Sequence, residues 1–322
     1  MNDDVLNILL DHADTHVSGE KISGMLGISR AAVWKHINNL KSRGYQIAAV
    51  NNKGYMIKSM PDEISQARIG RLLEHAMDVV CLEQVDSTNA YAAMLAEQGA
   101  RHFTAVIAAV QSGGRGRRGR NWISPAGGLW MSVLTRPELS PSCVQALTLC
   151  AALAVVRGIK SIYPQIDARI KWPNDVLIGD RKLCGILSEM SSDIDSVRYV
   201  VTGIGVNANF YSSVLGTQLN TPPVSLLDIT GTAADRNRLA AQILNEFADI
   251  YSGFIEAGSF EPYTEEYTDL MAWLNQRVVL TGAGESHEGV IQGIDPTGAL
   301  LIRNGTEMQR IIAGEISVRR ND

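Results

Sequence analysis

Eight consecutive residues, Gly113-Gly114-Arg115-Gly116-Arg117-Arg118-Gly119-Arg120, hold four arginines and four glycines. Glycine lets a chain take up φ > 0 and bring its N–H groups close to a ligand. Arginine supplies planar, permanently charged forks that match carboxylate and phosphate oxygens two at a time. Together they make an anion-binding loop suited to a polyphosphate. A P-loop is excluded, because it needs a lysine followed by Ser or Thr after the second glycine and no lysine stands in this run. Glycine-arginine runs also occur in solvated RNA-binding tails. Here Thr104 to Gln111 and Leu129 to Thr135 flank the run as β-rich apolar stretches, so it joins two strands of a compact unit.

Three other clusters offer chemistry. Lys171-Trp172-Pro173-Asn174-Asp175 sets a cation, an amide and a carboxylate beside a strand-breaking proline, and Asp180-Arg181-Lys182-Leu183-Cys184-Gly185 follows, so that the two runs make a hairpin. Asp86-Ser87-Thr88-Asn89 consists of helix-capping residue types. Gly203-Ile204-Gly205-Val206-Asn207 ends a strand with small residues, which lets a flat ligand approach the backbone. A dinucleotide fingerprint does not fit this last run, since no helix opens directly after it and no acid stands where the ribose would need one.

Around these clusters the spacing predicts strands at Val79 to Val85, Thr104 to Gln111, Leu129 to Thr135, Ala168 to Trp172, Val176 to Ile178, Lys182 to Met190 and Val197 to Val206. Helices are expected over Ser87 to Gln98, Pro141 to Ile162 and Arg236 to Glu256, giving an α+β domain with a mixed sheet. After Trp273 the texture turns to short β runs, Val278 to Leu280, Glu288 to Ile294, Ala299 to Ile302 and Met308 to Ile312, with turns at Gly282 to Gly284, Asp295 to Gly298 and Asn304-Gly305. A small β-barrel is expected there.

The amino end differs again. Val5 to Ala13 and Gly19 to Leu26 have helical spacing, Gly27-Ile28 makes a turn, and Ser29 caps a third helix with Val33, Ile37 and Leu40 on one buried stripe. Gln46 to Val50 and Gly54 to Lys58 flank Asn51-Asn52-Lys53 as a two-stranded wing with a basic tip. Residues 16 to 60 carry seven Lys or Arg against the single acid Glu20, a local charge of +6 in a chain of net −5. Concentrated positive charge in an acidic chain suits phosphate-backbone contact. This winged helix-turn-helix directs Ser29, Arg30, Trp34 and Lys35 toward base edges and Lys53 toward a phosphate, with Trp34 equally able to serve as core. One such head offers few contacts, so DNA affinity calls for a dimer on a two-fold site. Pro61-Asp62-Glu63 closes the segment as a short linker into a helix over Ile64 to Ala76.

With 322 residues, 45% of them hydrophobic, the chain can bury cores in two or three domains. No apolar run reaches the roughly 18 residues of a membrane span, and Met1 to Asp4 is acidic where a signal peptide would be basic, so a cytoplasmic protein is expected with no membrane partner. Cys81, Cys143, Cys150 and Cys184 show neither metal nor disulfide spacing and read as reduced core thiols.

Over nearly its whole length the chain resembles the family of bifunctional biotin protein ligases and biotin operon repressors. The carrying motifs are Asp86-Ser87-Thr88-Asn89, Gln111 with the Gly114 to Arg120 run, Lys171-Trp172-Pro173-Asn174-Asp175, Lys182-Leu183-Cys184-Gly185-Ile186-Leu187 and Gly203-Ile204-Gly205-Val206-Asn207. The resemblance implies a winged helix-turn-helix over residues 1–62, a class II synthetase-like biotin ligase domain over 63–272 and an SH3-like β-barrel over 273–322. It also implies a two-step reaction. Biotin and MgATP give biotinyl-5′-AMP and pyrophosphate, and a lysine of a biotin carboxyl carrier protein then takes the biotinyl group, with no covalent enzyme intermediate.

By the same resemblance, Ser87, Thr88, Asn89 and Gln111 meet the ureido head of biotin, and Gly114, Arg115, Gly116, Arg117, Gly185, Gly203 and Gly205 complete its site. Lys182 holds the carboxyl or acyl oxygen. Arg115, Arg117, Arg118, Arg120, Trp122, Lys171, Asn174 and Asn207 belong to the ATP site, with Trp122 stacked on adenine. Asp175 orients the incoming lysine or takes magnesium, and Arg117, Lys182 and Asp175 carry catalysis. Operator DNA of biotin synthesis genes and a homodimer formed on ligand binding are the further implied partners. Cys184 departs from the family's usual alanine, which raises thiol sensitivity as a question, and Gly127-Gly128-Leu129-Trp130 varies a pocket-lining stretch. Two other readings stay open: a lipoate-type ligase, and a DNA-binding regulator whose sensor domain is catalytically weak.

Overall fold

A computed structural model describes residues 2–12, 15–50, 53–141, 144–193, 196–216, 221–282, 285–312 and 317–320. The chain divides into two compact units, Met1–Arg71 and Leu72–Asp322.

In the first unit, helices α1 (Asn2–Asp11), α2 (Gly19–Leu26) and α3 (Arg30–Ser42) precede the hairpin β1 (Gln46–Val50) and β2 (Gly54–Ser59), and α4 (Gln66–Leu72) follows. The side chains of Ser18 and Ser29 accept from the backbone N–H groups of Lys21 and Ala32, which caps α2 and α3. Gly27 ends α2 in the left-handed region at φ 63. Val33, Ile37 and Leu40 are buried on α3, where they join Val5, Leu9, Ile22 and Tyr45 in one core. Glu63 accepts from Arg43 at 2.8 Å and Tyr45 at 2.5 Å, which fastens Pro61-Asp62-Glu63 to this unit and raises the Tyr45 hydroxyl pKa, burial being the larger cause. Of the sequence expectations, Ala13, Asn51 and Asn52 lie outside the described residues.

The second unit is built on a seven-stranded sheet of order β3-β4-β5-β9-β8-β7-β6. Its strands are β3 (Asp78–Val85), β4 (Thr104–Gln111), β5 (Leu129–Thr135), β6 (Ala168–Lys171), β7 (Asp175–Ile178), β8 (Arg181–Ser192) and β9 (Val197–Val206). Only β3 and β4 pair in parallel, joined through α5 (Thr88–Glu97), as a parallel pair requires a crossover. The remaining pairs are antiparallel, which makes the sheet mixed as expected.

Helix α6 (Val144–Ile162) packs on β6 to β9 and against α8 (Arg236–Ala257). Its segment Gln145–Ile162 is long and apolar enough to cross a membrane by composition, contrary to the sequence expectation, which Thr148, Arg157 and Lys160 obscured; 67% of that segment is buried inside the fold. Of the expected helix start, Ser142 and Cys143 lie outside the described residues. Two short helices were not among the sequence expectations, α7 (Leu226–Thr230), which opens on a Ser225–Asp228 capping box, and α9 (Thr264–Asp269).

The carboxy-terminal strands β10 (Arg277–Gly282), β11 (Glu285–Ile294), β12 (Leu300–Asn304), β13 (Glu307–Ile311) and β14 (Ser317–Arg320) form an antiparallel sheet of order β13-β12-β11-β10-β14. Among the described residues no pairing joins β13 to β14, so the sheet has two open edges where a closed barrel was expected. Ala283 and Gly284 of the expected first turn lie outside the described residues. Trp172 ties this sheet to the central one through its indole N–H, which donates to the Gly298 carbonyl at 3.0 Å.

Candidate functional site

The ends of β3, β4, β6, β8 and β9 surround a cavity of about 600 Å³. Its walls differ in chemistry. One is built of uncharged hydrogen-bonding side chains on α5 and β4, the other of cations on the Gly-Arg loop and the β6–β8 hairpins.

The uncharged wall follows from strand pairing. Val85 and Gln111 sit side by side at the ends of β3 and β4, so the start of α5 meets the Gln111 side chain. Ser87 caps α5 by accepting from Ala90 N–H. The Thr88 N–H and hydroxyl both donate to Gln111 Oε1, at 2.8 and 3.0 Å, and Gln111 Nε2 donates to Ser124 Oγ at 2.9 Å. Asn89 donates to the Leu187 carbonyl and the Glu189 carboxylate at 3.2 and 2.7 Å. Ser87, Thr88 and Asn89 are all buried, so these polar groups are held in place before any ligand arrives.

The Gly-Arg run closes on itself as a tight loop. Gly116 N–H donates to the Arg120 carbonyl, Trp122 N–H donates to Gly114, and Arg118 with Gly119 takes left-handed φ of 60 and 68 at the tip. Arg117 points inward, where it donates to Asn174 Oδ1 at 3.0 Å, and burial lowers its pKa against the opposing pull of Asp175. Asn174 is itself gripped by β8, accepting from Ile186 N–H and donating to the Ile186 carbonyl. Arg115 and Arg120 line the cavity. Arg118 does not, because the left-handed turn carries its exposed side chain outward.

Lys182 faces Asp175 at 2.7 Å, across adjoining strands β7 and β8. Its ammonium also lies 5.1 Å from the centroid of the Trp122 ring. That indole covers the glycine pair Gly185 and Gly205, which face each other across β8 and β9. A Cβ on Gly205 would come within 2.6 Å of the indole and one on Gly185 within 2.9 Å. Gly203 is kept small in the same way by the Asn89 amide, and Gly114 by the Trp122 carbonyl. The flat group resting on these glycines is therefore a side chain of the protein. Gly114, buried beneath that carbonyl, does not line the cavity.

Lys171 and Asn207 complete the expected set on the wall. Asn207 Nδ2 donates to the carbonyls of Lys182 and Val224, while its buried Oδ1 and the buried indole N–H of Trp122 have no hydrogen-bond partner among the described residues. Such groups in a polar cavity are ready to meet a ligand.

Other expectations are corrected. Gly127, Gly128, Leu129 and Trp130 do not line the cavity; Trp130 is fully buried with its N–H on the Pro125 carbonyl, and Met131 is the member of that strand that reaches the wall. Cys184 is fully buried, absent from the wall, and its thiol pKa is pushed far up by burial. Cys150 and Cys184 are buried free thiols, and Cys143 lies outside the described residues. Among the described residues no three His, Cys, Asp or Glu side chains cluster as a metal site, and Asp175 is occupied by Lys182.

Sequence reasoning missed Trp273 and Ser132. Trp273 lines the cavity with Lys171 5.5 Å from its ring centroid and its N–H on Asp180 at 3.0 Å; a tryptophan after the last helix carries no local signal of this. Ser132 lies under the wall in the apolar strand β5, with its Oγ 2.7 Å from both Thr88 Oγ1 and Asn89 Oδ1. A hydroxyl amid Trp130, Met131 and Val133 is the one hint the sequence gives. In the first unit Ser29, Arg30, Trp34 and Lys35 are exposed on or beside α3, and Lys53 is exposed at the β1–β2 turn. Trp34 is 62% exposed, so it is not core.

Comparison with known proteins matches three segments of the chain. Residues 81–207 match the Biotin/lipoate A/B protein ligase family, residues 3–56 a helix-turn-helix domain, and residues 273–319 the biotin protein ligase C-terminal domain. The bifunctional ligase/repressor BirA of Bacillus subtilis is 34% identical over 319 residues, spanning 98% of each chain, and that of Escherichia coli K12 is 34% identical over 97% of this chain and 95% of its own. Biotin protein ligase from Aquifex aeolicus, solved with biotin and ATP, superposes with a TM-score of 0.66 at 31% identity, covering 76% of this chain and 99% of that one. The polar cavity, the Gly-Arg loop and the exposed helix of the first unit are thus parts of one inherited design, and the chain belongs to the bifunctional biotin ligase/repressor family.

Proposed function

We propose that this chain joins biotin to ATP to form biotinyl-5′-AMP, transfers the biotinyl group to a lysine of a biotin carboxyl carrier protein, and represses biotin synthesis genes through its amino-terminal unit. The observation that carries the ligase activity is a single cavity with an uncharged hydrogen-bonding wall and a cationic wall. A ureido head needs uncharged donors and acceptors, whereas a carboxylate and an α-phosphate repel each other and come together only between cations.

In this account Ser87, Thr88, Asn89 and Gln111 bind the ureido head, and Gly116, Gly185, Gly203 and Gly205 flank the rest of biotin. Lys182 stabilises the charge developing on the carboxyl oxygen, and Arg115, Arg117 and Arg120 neutralise the phosphates with Lys171. Trp122, Asn174 and Asn207 receive the nucleotide. In the second step Asp175, released from Lys182 as that cation turns to the acyl oxygen, orients the incoming lysine. Magnesium enters with its nucleotide as MgATP, since among the described residues no three His, Cys, Asp or Glu side chains cluster and Asp175 pairs with Lys182.

The first unit binds operator DNA through Ser29, Arg30, Trp34, Lys35 and Lys53, as a homodimer that forms when the adenylate is bound. Residues 1–62, 63–272 and 273–322 form the DNA-binding, catalytic and carboxy-terminal parts, the last an SH3-like fold with open edges, in a cytoplasmic enzyme. Incubation of the full chain with biotin, MgATP and a carrier domain tests the activity: a carrier-lysine adduct of biotin is expected, and its absence, or an equal adduct from lipoate, contradicts it. Gel shifts on a biotin-operon promoter test repression, and equal affinity with and without biotin plus ATP contradicts the corepressor role.

A further inference from the structure

The polar wall contains a hydrogen-bond chain whose polarity can be worked out donor by donor. Asn89 Nδ2 faces a carbonyl and a carboxylate, groups that only accept, which fixes Asn89 Oδ1 toward Ser132. Gln111 Oε1 faces the Thr88 N–H, so it too is fixed as an acceptor, while Gln111 Nε2 donates to Ser124, which donates onward to the Trp122 carbonyl at 3.1 Å. Between the two fixed acceptors, Asn89 Oδ1 and Gln111 Oε1, stand only the hydroxyls of Ser132 and Thr88, with one hydrogen each.

Three inward contacts therefore compete for two hydrogens. Ser132 donates to Asn89 or to Thr88, and Thr88 donates to Gln111. Under every assignment the Thr88 hydrogen stays inside the protein. What Thr88, which lines the cavity, turns toward a ligand is then a lone pair.

Resting on the biotin ligase activity proposed above, we infer that Ser132 is a positioning residue that keeps Thr88 an acceptor, so that this end of the cavity takes a ureido N–H of biotin. Ser132 is fully buried and does not itself line the cavity, so it acts only through Thr88 and Asn89. Removing its hydroxyl leaves Asn89 Oδ1 without a donor and takes away the donor that occupies the inner side of the Thr88 oxygen, so that the Gln111 contact alone then holds the Thr88 hydrogen out of the cavity.

The test uses the full chain carrying Ser132→Ala or Ser132→Cys, with pyrophosphate release followed at varied biotin and at varied ATP. A biotin analogue methylated on both ureido nitrogens is assayed alongside. The Ser132→Ala chain is expected to raise KM for biotin about tenfold with KM for ATP unchanged, the scale set by an orphaned buried acceptor. It should also narrow the preference for biotin over the methylated analogue by about the same factor, since that preference depends on the polarity of Thr88. Ser132→Cys, a weak donor of similar size, should fall between, and it carries the test if the alanine chain does not fold. An unchanged KM for biotin, parallel rises in both KM values, or an undiminished preference for biotin overturns the inference while wild-type turnover leaves the ligase activity standing. A wild-type chain that releases no pyrophosphate from biotin and ATP overturns both.

Discussion

Lys182 Nζ lies 2.7 Å from Asp175 Oδ1, with side-chain exposures of only 22% and 13%. The carboxylate neutralises the cation and holds it at the cavity wall. Lys182→Met should reduce pyrophosphate release by about 10²-fold, the usual scale for losing one oxyanion donor. It should also destabilise the fold by about 1–3 kcal/mol, because Asp175 is left unpaired. Denaturant melts and pyrophosphate assays on one preparation check both; unchanged turnover would remove Lys182 from the chemistry.

Arg117 is the arginine of the loop that reaches across to Asn174. Arg117→Ala should raise KM for ATP and slow adenylate formation by at least about tenfold, with the chain still folded, since the loop's own backbone bonds do not involve this side chain and only its Asn174 contact is lost. Arg118→Ala, on the exposed tip, should leave KM for biotin and ATP within about twofold of wild type in the isolated first step.

Trp122 resting on Gly205 predicts a steric effect. In Gly205→Ala the new methyl would meet the indole at 2.6 Å, so the ring must move off its seat. Nucleotide affinity should fall about tenfold, and tryptophan fluorescence should shift even without ligand. Unaltered fluorescence and affinity would show that the indole does not sit there.

How much of this the sequence revealed depends on whether the signal was local. Helix α3 was legible because Val33, Ile37 and Leu40 repeat at helical spacing behind a Ser29 cap, and β4, β5 and β9 because long apolar runs leave little choice. The motif residues of the site were legible as types, but their pairing was not. That Asn174 grips Arg117, or that Trp122 covers Gly185 and Gly205, follows from strand register between segments tens of residues apart. The resemblance puts Trp130 in a pocket-lining stretch, and alternation along β5 cannot correct this because every residue of that strand is buried. Strand β14 and helices α7 and α9 are too short for periodicity to detect.

Cys184 gives a prediction with a definite pH direction. Burial raises its thiol pKa, so the neutral form, which does not react, persists through pH 8. Brief treatment of the native chain with iodoacetamide at that pH should leave Cys184 and Cys150 unlabelled by mass spectrometry and Cys81 the more reactive of the three. Loss of adenylate formation in step with Cys184 labelling would contradict its burial.

In the first unit, Arg30 and Trp34 are exposed one turn apart on α3. Arg30→Ala or Trp34→Ala should weaken operator binding at least about tenfold, with melting temperature and pyrophosphate release unchanged. Gel shifts beside the ligase assay check this, and unchanged DNA affinity in both would move the interface elsewhere.

The most direct measurement is the identity of the small molecule retained by the full chain after incubation with biotin and MgATP and rapid desalting. Mass spectrometry should find biotinyl-5′-AMP at about one per chain, with released pyrophosphate in equal amount, since the account places both reactants in one cavity. Retention of biotin or ATP unjoined, with no pyrophosphate released, would contradict the account.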